Sequence, residues 1–335
     1  MKKYLLPKKG KFYKANLRCH STVSDGSLTP QELKDLYKEH GYSIIAYTDH
    51  DALISHSNLN DDNFLALNGY EMEISTVRNE KTCHICLIAL EPDNLTQVCY
   101  HRQKYMIGNG NDYRDFIKFD NTLPDFEREY TPEKINEMIK IGRDAGFFVT
   151  YNHPGWSLEG PQQYMNYHGM HAMEIYNHGC FVEGYPDYNE KEYEHMLRGG
   201  EKIYCISTDD NHNCNTIESR KFDSLGGFTM ISSKDLSYKS ITNALLKGNF
   251  YASTGPKIYE LWVENDRVHI TCSNADKIVL NTINRHSKCV YAKDAEPLTE
   301  AEFTIEKDCV YFRLTVVDEK GKHANTNAYF IKDLL

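Results

Sequence analysis

Up to about residue 256 the chain alternates apolar runs of strand length with amphipathic stretches of helical period, and this alternation sets the expected fold class. Ser43-Ile44-Ile45-Ala46-Tyr47 predicts a buried strand. The helix before it starts at Leu28-Thr29-Pro30-Gln31-Glu32, with a Thr cap and Pro at the first helical position, and continues through Leu33, Leu36 and Tyr37 at helical spacing. Together with the segment leading into His20, this reads as strand, loop, helix, strand. Such a βαβ unit sets both strand ends on one side of a sheet, so His20 and His50 can meet although 30 residues separate them. Phe64 to Ile74 predicts a strand pair or bent strand, and Thr82 to Leu90 another buried strand. Thr131-Pro132-Glu133 caps a helix to about Ala145. Alternation then resumes with FFVTYNHP ending at His153, AMEIYN ending at Asn177, a helix around Lys191 to Arg198, and KIYCISTDDNH ending at His212. Repeated βα units predict a parallel sheet or barrel, with polar residues where the strands end, the catalytic face of such folds.

Two stretches break this pattern. Residues 91–130 are polar, aromatic and weakly periodic, with Gly-Asn-Gly at their centre, and are expected to form an insertion that serves as a lid or contact surface. After a last helix, Ser240 to Lys247, and the sequence GNFYASTGP, the pattern changes near Pro256 to short alternating runs. These predict an antiparallel β-sandwich of roughly six strands over residues 257–335, appended to a first domain of residues 1–256.

Composition narrows the class. At 335 residues, 40% hydrophobic and 26% charged, the chain can bury one large core, or a large core and a smaller one. No apolar run reaches the length of a membrane span or a signal-peptide core, which predicts a cytoplasmic protein with its ten cysteines mostly reduced. Cys83 and Cys86 form a CxxC, but without a second pair they read as packed core thiols. A net charge of −10 argues against nonspecific binding to nucleic acid or an anionic membrane. It leaves room for a phosphorylated substrate, because bound metal ions reverse the sign locally.

The candidate chemistry sits at the predicted strand ends. His20, Asp25, His50, Glu71, His84, His153, Asp210 and His212 offer nitrogen and oxygen ligands suited to Zn²⁺, Mn²⁺ or Fe²⁺. Any one alone reads as structural; their shared placement carries the weight. Eight ligands exceed the needs of one tetrahedral ion and suit two or three ions sharing a carboxylate, ~3.5–4 Å apart, as used for in-line displacement at phosphorus.

In these motifs the sequence resembles the PHP (polymerase and histidinol phosphatase) family. HSTVSDG carries His20 and Asp25, TDHD carries His50, GYE carries Glu71, CHICL carries His84, NHP carries His153, and DDNH carries Asp210 and His212. The resemblance covers residues 13–256 and implies a distorted (β/α)₇ barrel with a di- or trinuclear metal site that hydrolyses phosphoesters through metal-bound hydroxide. It also implies the grouping of ligands: His20, Glu71 and Asp210 at one position; Glu71, His84 and His153 at a second; Asp25, His50 and His212 at a third. The appended sandwich is similar to that of bacterial two-domain relatives.

One position departs from the family pattern. The first histidine of His-x-His is Arg18, which cannot ligate a metal because it stays protonated. Either one metal position is weakened, or the guanidinium replaces that ion as a fixed cation that holds phosphate oxygens. His178, just past a strand in IYNHG, is a candidate general acid. The expected substrate is a small phosphorylated molecule, whether nucleotide, sugar phosphate or short oligonucleotide. The alternatives are a catalytically weak module that binds metal and a phosphorylated ligand, and amide or ring hydrolysis with similar ligands.

Overall fold

The computed structural model describes residues 2–293 and 296–334. Its first strands are β1 (Lys3–Tyr4), β2 (Lys11–Cys19), β3 (Ile44–Tyr47), β4 (Leu65–Ser75), β5 (Thr82–Ala89), β6 (Phe147–Tyr151), β7 (Ala172–Asn177) and β8 (Tyr204–Thr208). Helix α1 (Pro30–Glu39) begins in a reciprocal capping box: Thr29 Oγ1 accepts from the Glu32 amide, and the Glu32 carboxylate accepts from the Thr29 amide at 2.8 Å. Its buried residues Leu33 and Tyr37, one turn apart, share a core with Ile45 of β3. The crossover from β2 through α1 is therefore held flat on the sheet, and β2, β3 and β4 run parallel.

A uniformly parallel sheet does not form. Only residues 76–81 join β4 to β5, whereas a parallel crossover needs a dozen or more. The two strands pair as a hairpin, with Glu71 opposite Cys86 and Glu73 opposite His84. β5 is also antiparallel to β6, after which β6, β7 and β8 are parallel. Between β5 and β6, α2 (Pro132–Asp144) turns Ile135, Met138 and Ile139 into the core shared with Leu87 and Val149. Helices α3 (Pro161–Tyr164), α4 (His178–Glu183) and α5 (Glu190–Arg198) follow β6 and β7, but β3 and β4 are separated by a single 3₁₀ turn at Ser57–Leu59. The sheet curls back on itself: beyond β8, the His20 amide donates to Asn211 O (3.1 Å) and the Asp210 amide to Arg18 O (3.2 Å). What is seen is a curled, mixed sheet with helices, less regular than the distorted (β/α)₇ barrel expected.

On the other side of β2 the sheet continues through β9 (Phe228–Ser233) and, after α6 (Tyr238–Leu246), β10 (Phe250–Ser253). Eight more strands follow: β11 (Ile258–Glu264), β12 (Arg267–Ala275), β13 (Lys277–Thr282), β14 (Lys288–Tyr291), β15 (Leu298–Thr304), β16 (Tyr311–Val317), β17 (His323–Thr326) and β18 (Tyr329–Phe330). Their burial alternates along β12 and β13, the mark of a strand with one face on a core. They fall into two layers. β1, β11, β12 and β15 form a separate four-stranded sheet, while β13, β14, β16 and β17 extend the large sheet, because β17 pairs with β10 through Ala252 and Asn325. Val268 and Ile270 of β12 and Leu280 of β13 lie in the same apolar cluster as Leu33 and Ile45.

The 91–130 stretch folds down onto the loops after β2 and β3. The Asn109 amide donates to Ser24 O (2.7 Å), Arg128 pairs with Asp51, and Tyr100, Met106 and Ile117 cluster with Val23 and Ala52. Gly108 is required at the contact: its φ is +53° and an added Cβ would lie 2.2 Å from Ser24 O.

Candidate metal centre

The parallel strands deliver their C-terminal ends to one rim, and β5, running the other way, delivers its first residues to the same place. His20 follows β2, His50 follows β3, His153 follows β6, and Asp210 and His212 follow β8. Glu71 lies inside β4 and His84 inside β5, diagonal neighbours in the hairpin register. The backbone is forced at several of these positions. Asp51 (φ +52°), His153 (φ +24°) and Asp210 (φ +54°) all adopt the left-handed region, a costly conformation that surrounding structure must hold in place.

All eight sequence-predicted ligands converge. Their ligand atoms form three groups, each with every atom within 4.8 Å of the others: His20, Asp25, His50 and His212; Glu71, His84 and His153; and His20, Glu71 and Asp210. Glu71 and His20 each belong to two groups. His20 Nε2 lies 3.1 Å from Asp210 Oδ1 and 3.2 Å from Glu71 Oε2, and His84 Nδ1 is 2.7 Å from Glu71 Oε1. Asp25 Oδ2 faces His212 Nε2 at 3.5 Å and His50 Nε2 at 3.8 Å. The donor set fits divalent cations, and buried atoms point the same way: among the described residues, His20 Nδ1 and His84 Nε2 have no hydrogen-bond partner.

Arg18, 2% exposed, points into this centre. Its Nε bonds Glu71 Oε2 (2.9 Å), Nη2 bonds Glu71 Oε1 and lies 3.3 Å from His84 Nδ1, and Nη1 reaches Asp210 Oδ2 (2.9 Å) and Glu174 Oε2 (3.3 Å). Four of the five N–H groups of the guanidinium are thereby engaged, by Glu71, Asp210 and Glu174, because His84 Nδ1, 2.7 Å from Glu71 Oε1, is itself a donor. Arg18 also lines the cavity, so the fork for phosphate oxygens, expected as one option from sequence, is left with one Nη2 donor at most.

The charges are tightly linked. Burial favours neutral Glu71 and Asp210, yet the Arg18 charge and their histidine neighbours outweigh it and hold both carboxyls well below the usual range. Burial also works against a charge on His20, but hydrogen bonds to Asp210 and Glu71 raise it well above an ordinary histidine. His50 is pushed down to about 3 by burial and then by His20, and His153 falls well below its normal value through burial and then Arg18. Two unprotonated imidazoles thus stand beside anionic carboxylates, the state in which both can bind a cation.

Several supporting residues carry no motif. Asp49 Oδ1 accepts from the Ser21 amide (2.7 Å) and Ser24 Oγ (2.8 Å), fixing the loop that carries Asp25. Asp209 does the same for a second loop, accepting from the Gly226 (2.9 Å) and Gly227 (2.7 Å) amides. In TDHD and DDNH, then, the first Asp of each motif ties a loop down and the residue after it faces the centre. Ser157 Oγ lies 3.1 Å from His153 Nδ1, leaving Nε2 to face the site. Glu174, the lone acid in the apolar run AMEIYN, is fully buried, and only that oddity of sequence marked it.

His178 is not brought to the centre. Its Nδ1 lies 2.9 Å from the Tyr176 hydroxyl and its ring stacks on Phe181, while the neighbouring Gly179 and Cys180 line the cavity. Its position at the start of α4 turns the ring aside, so the general-acid role expected from sequence has no geometry behind it. Cys83 and Cys86 are buried free thiols.

The centre opens into a cavity of about 830 Å³ whose walls include Trp156, Tyr185, Lys81 and Lys221. Trp156 packs on His84 and His153, with ring centroids at 5.4 and 4.8 Å, and its Nε1 donates to Glu183 (2.9 Å). Among the described residues, no helix is long and apolar enough to cross a membrane.

No protein-family model and no curated protein matches the chain. Among solved structures it is similar to a two-domain protein from Bacteroides vulgatus, described as containing a predicted PHP-like metal-dependent phosphoesterase, at 16% identity and a TM-score of 0.46, over 97% of this chain and 98% of that one. A candidate metal-dependent phosphoesterase from Bifidobacterium adolescentis matches at 15% identity and a TM-score of 0.39, over 65% of this chain and 94% of that one. An amidohydrolase from Chromobacterium violaceum, solved with sulfate and no metal, matches at 18% identity and a TM-score of 0.37, over 59% and 87%.

Proposed function

We propose that this protein is a metal-dependent phosphoesterase that hydrolyses a small phosphorylated substrate, a nucleotide, sugar phosphate or short oligonucleotide, with two or three divalent ions (Zn²⁺, Mn²⁺ or Fe²⁺). The observation that carries the reading is the convergence of eight ligands into three groups that share Glu71 and His20 at the floor of one cavity. Bound ions would lower the pKa of a water to ~7 and offset the charge that develops on the phosphoryl oxygens. His84, His153 and Glu71 would hold one ion, and Asp25, His50 and His212 another. Asp49, Asp209 and Ser157 keep those ligands oriented without touching substrate. Trp156 and Tyr185 would exclude water from one side of the bound molecule, and Lys81 and Lys221 at the wall would draw an anion in. A cavity of about 830 Å³ is of the size that encloses such a substrate. Residues 257–335 act as an accessory unit, and none of the described residues among them belongs to the candidate ligand groups.

The test is a phosphoester panel on protein stripped by chelation and then reloaded. Activity should vanish on stripping and return with Mn²⁺, Fe²⁺ or Zn²⁺. Hydrolysis that persists at undetectable metal content would refute the proposal.

A further inference from the structure

Building on the metal-dependent reading, we infer that the centre takes no more than two ions, because the Arg18 guanidinium permanently fills the place of a third. The His20, Glu71 and Asp210 group has a cation already: Arg18 bonds both of its carboxylates, Glu71 through Nε (2.9 Å) and Nη2, and Asp210 through Nη1 (2.9 Å). A divalent ion placed among the same oxygens would sit against a fixed positive charge in a site with little water to screen it.

Glu174 shows that this cation is built in. It belongs to none of the three ligand groups. Thr208 Oγ1 donates to it at 2.7 Å, and the His153 amide and Asn177 Nδ2 donate at 2.9 Å each, which leaves the carboxylate aimed at Arg18 Nη1 from the side away from Glu71. A buried carboxylate so prepared needs a cation beside it, and Arg18 is the one within reach. With four of its donors spent on Glu71, Asp210 and Glu174, Arg18 is a positioning residue that orients two ligand carboxylates. The His20, Asp25, His50 and His212 group has no contact with Arg18, and the Glu71, His84 and His153 group meets it only on the Glu71 and His84 side, with His153 unpaired to it, so at most these two positions are open to ions.

The full chain, stripped by chelation, reloaded with Mn²⁺ and desalted, should carry one or two equivalents by elemental analysis. Anomalous diffraction from Mn²⁺-soaked crystals should show no peak between His20, Glu71 and Asp210. Arg18→His should raise the content by one equivalent. Three equivalents in the wild type, or a peak in that group, would overturn the inference while leaving the phosphoesterase reading intact; a folded Arg18→His protein that gains no ion also counts against it. If no group binds Mn²⁺ at all, both readings fall. The wild-type map decides the matter even where Arg18→His does not fold.

Discussion

Two buried clusters in this protein are built from the same residue types and do different things. At the strand ends, Arg18 meets Glu71, Glu174 and Asp210 among five histidines. At the seam between α5 and the C-terminal strands, Arg313 (3% exposed) bonds Glu194 at 2.6 Å, the Tyr311 hydroxyl donates to Glu194 at 2.9 Å, and His323 Nδ1 lies 3.2 Å from Glu190. In the seam Arg313 Nη1 donates to Thr315 (3.0 Å) and Asn325 (3.2 Å), and the His323 ring packs on Tyr188. None of these residues lines the cavity at the candidate metal centre. At the rim, by contrast, imidazole nitrogens face one another across carboxylates, and two of those nitrogens lack partners. Residue types alone do not separate a binding centre from a structural clasp. Ligand atoms converging on a shared point, with unmet bonding capacity, do.

The contrast can be broken by mutation. Glu71→Gln removes a ligand common to two groups and unbalances Arg18, so phosphoesterase activity should fall roughly 10²–10³-fold, with metal content reduced and no rescue by added metal. Full activity at wild-type metal content would erase the difference between the clusters. Arg313→Ala strands Glu194 in the seam and should cost about 3 kcal/mol in denaturant unfolding, while metal content per folded molecule stays unchanged. Loss of metal in this variant would mean that the clasp and the centre are one unit.

The smallest effect concerns acid. Burial tends to raise the Glu190 pKa, but the hydrogen bond with His323 and the Arg313 charge hold it below the ordinary 4.5. Its folded value is depressed, so its contribution to stability is complete above the unfolded pKa and is lost as pH falls below about 4.5. Glu190→Gln should flatten that acid limb in equilibrium unfolding measured from pH 6 downward. An unchanged limb would show that this pair holds little of the seam.

The convergence of the eight candidate residues was legible because they lie in short motifs in or just after apolar runs, and the sheet gathers such runs to one rim. The helices were legible from caps such as Thr29 and Thr131. What the pattern left open was nonlocal. Nothing in TCHICLIAL says that the strand runs against its neighbours; the short link from Ser75 does. The pairing of β17 with β10, which joins the C-terminal strands to the large sheet, depends on edges that are adjacent only after folding. Asp49 and Asp209 looked like part of the ligand motifs, and their loop-holding role appears only when their amide donors are placed. His178 shows the converse, since a histidine just after a strand has the right address and a ring turned the wrong way. Arg18 was recognisable as a substitution, but its four neighbours, Glu71, His84, Glu174 and Asp210, come from four separate strands or the loops after them.

β1 sets a schedule for folding. Lys3 and Tyr4 pair with Val263 and Trp262, and Lys3 Nζ reaches Asp333 O at 3.1 Å, so β1 closes a sheet whose other strands are made long after it. During synthesis it must wait, unpaired, while the rest of the chain emerges, and contacts of such long sequence separation slow the final step. Until β1 docks, the outer edge of β11 is an open strand able to pair with another chain. For this protein the vulnerable interval is therefore the one between the folding of β11 and the docking of β1 on it.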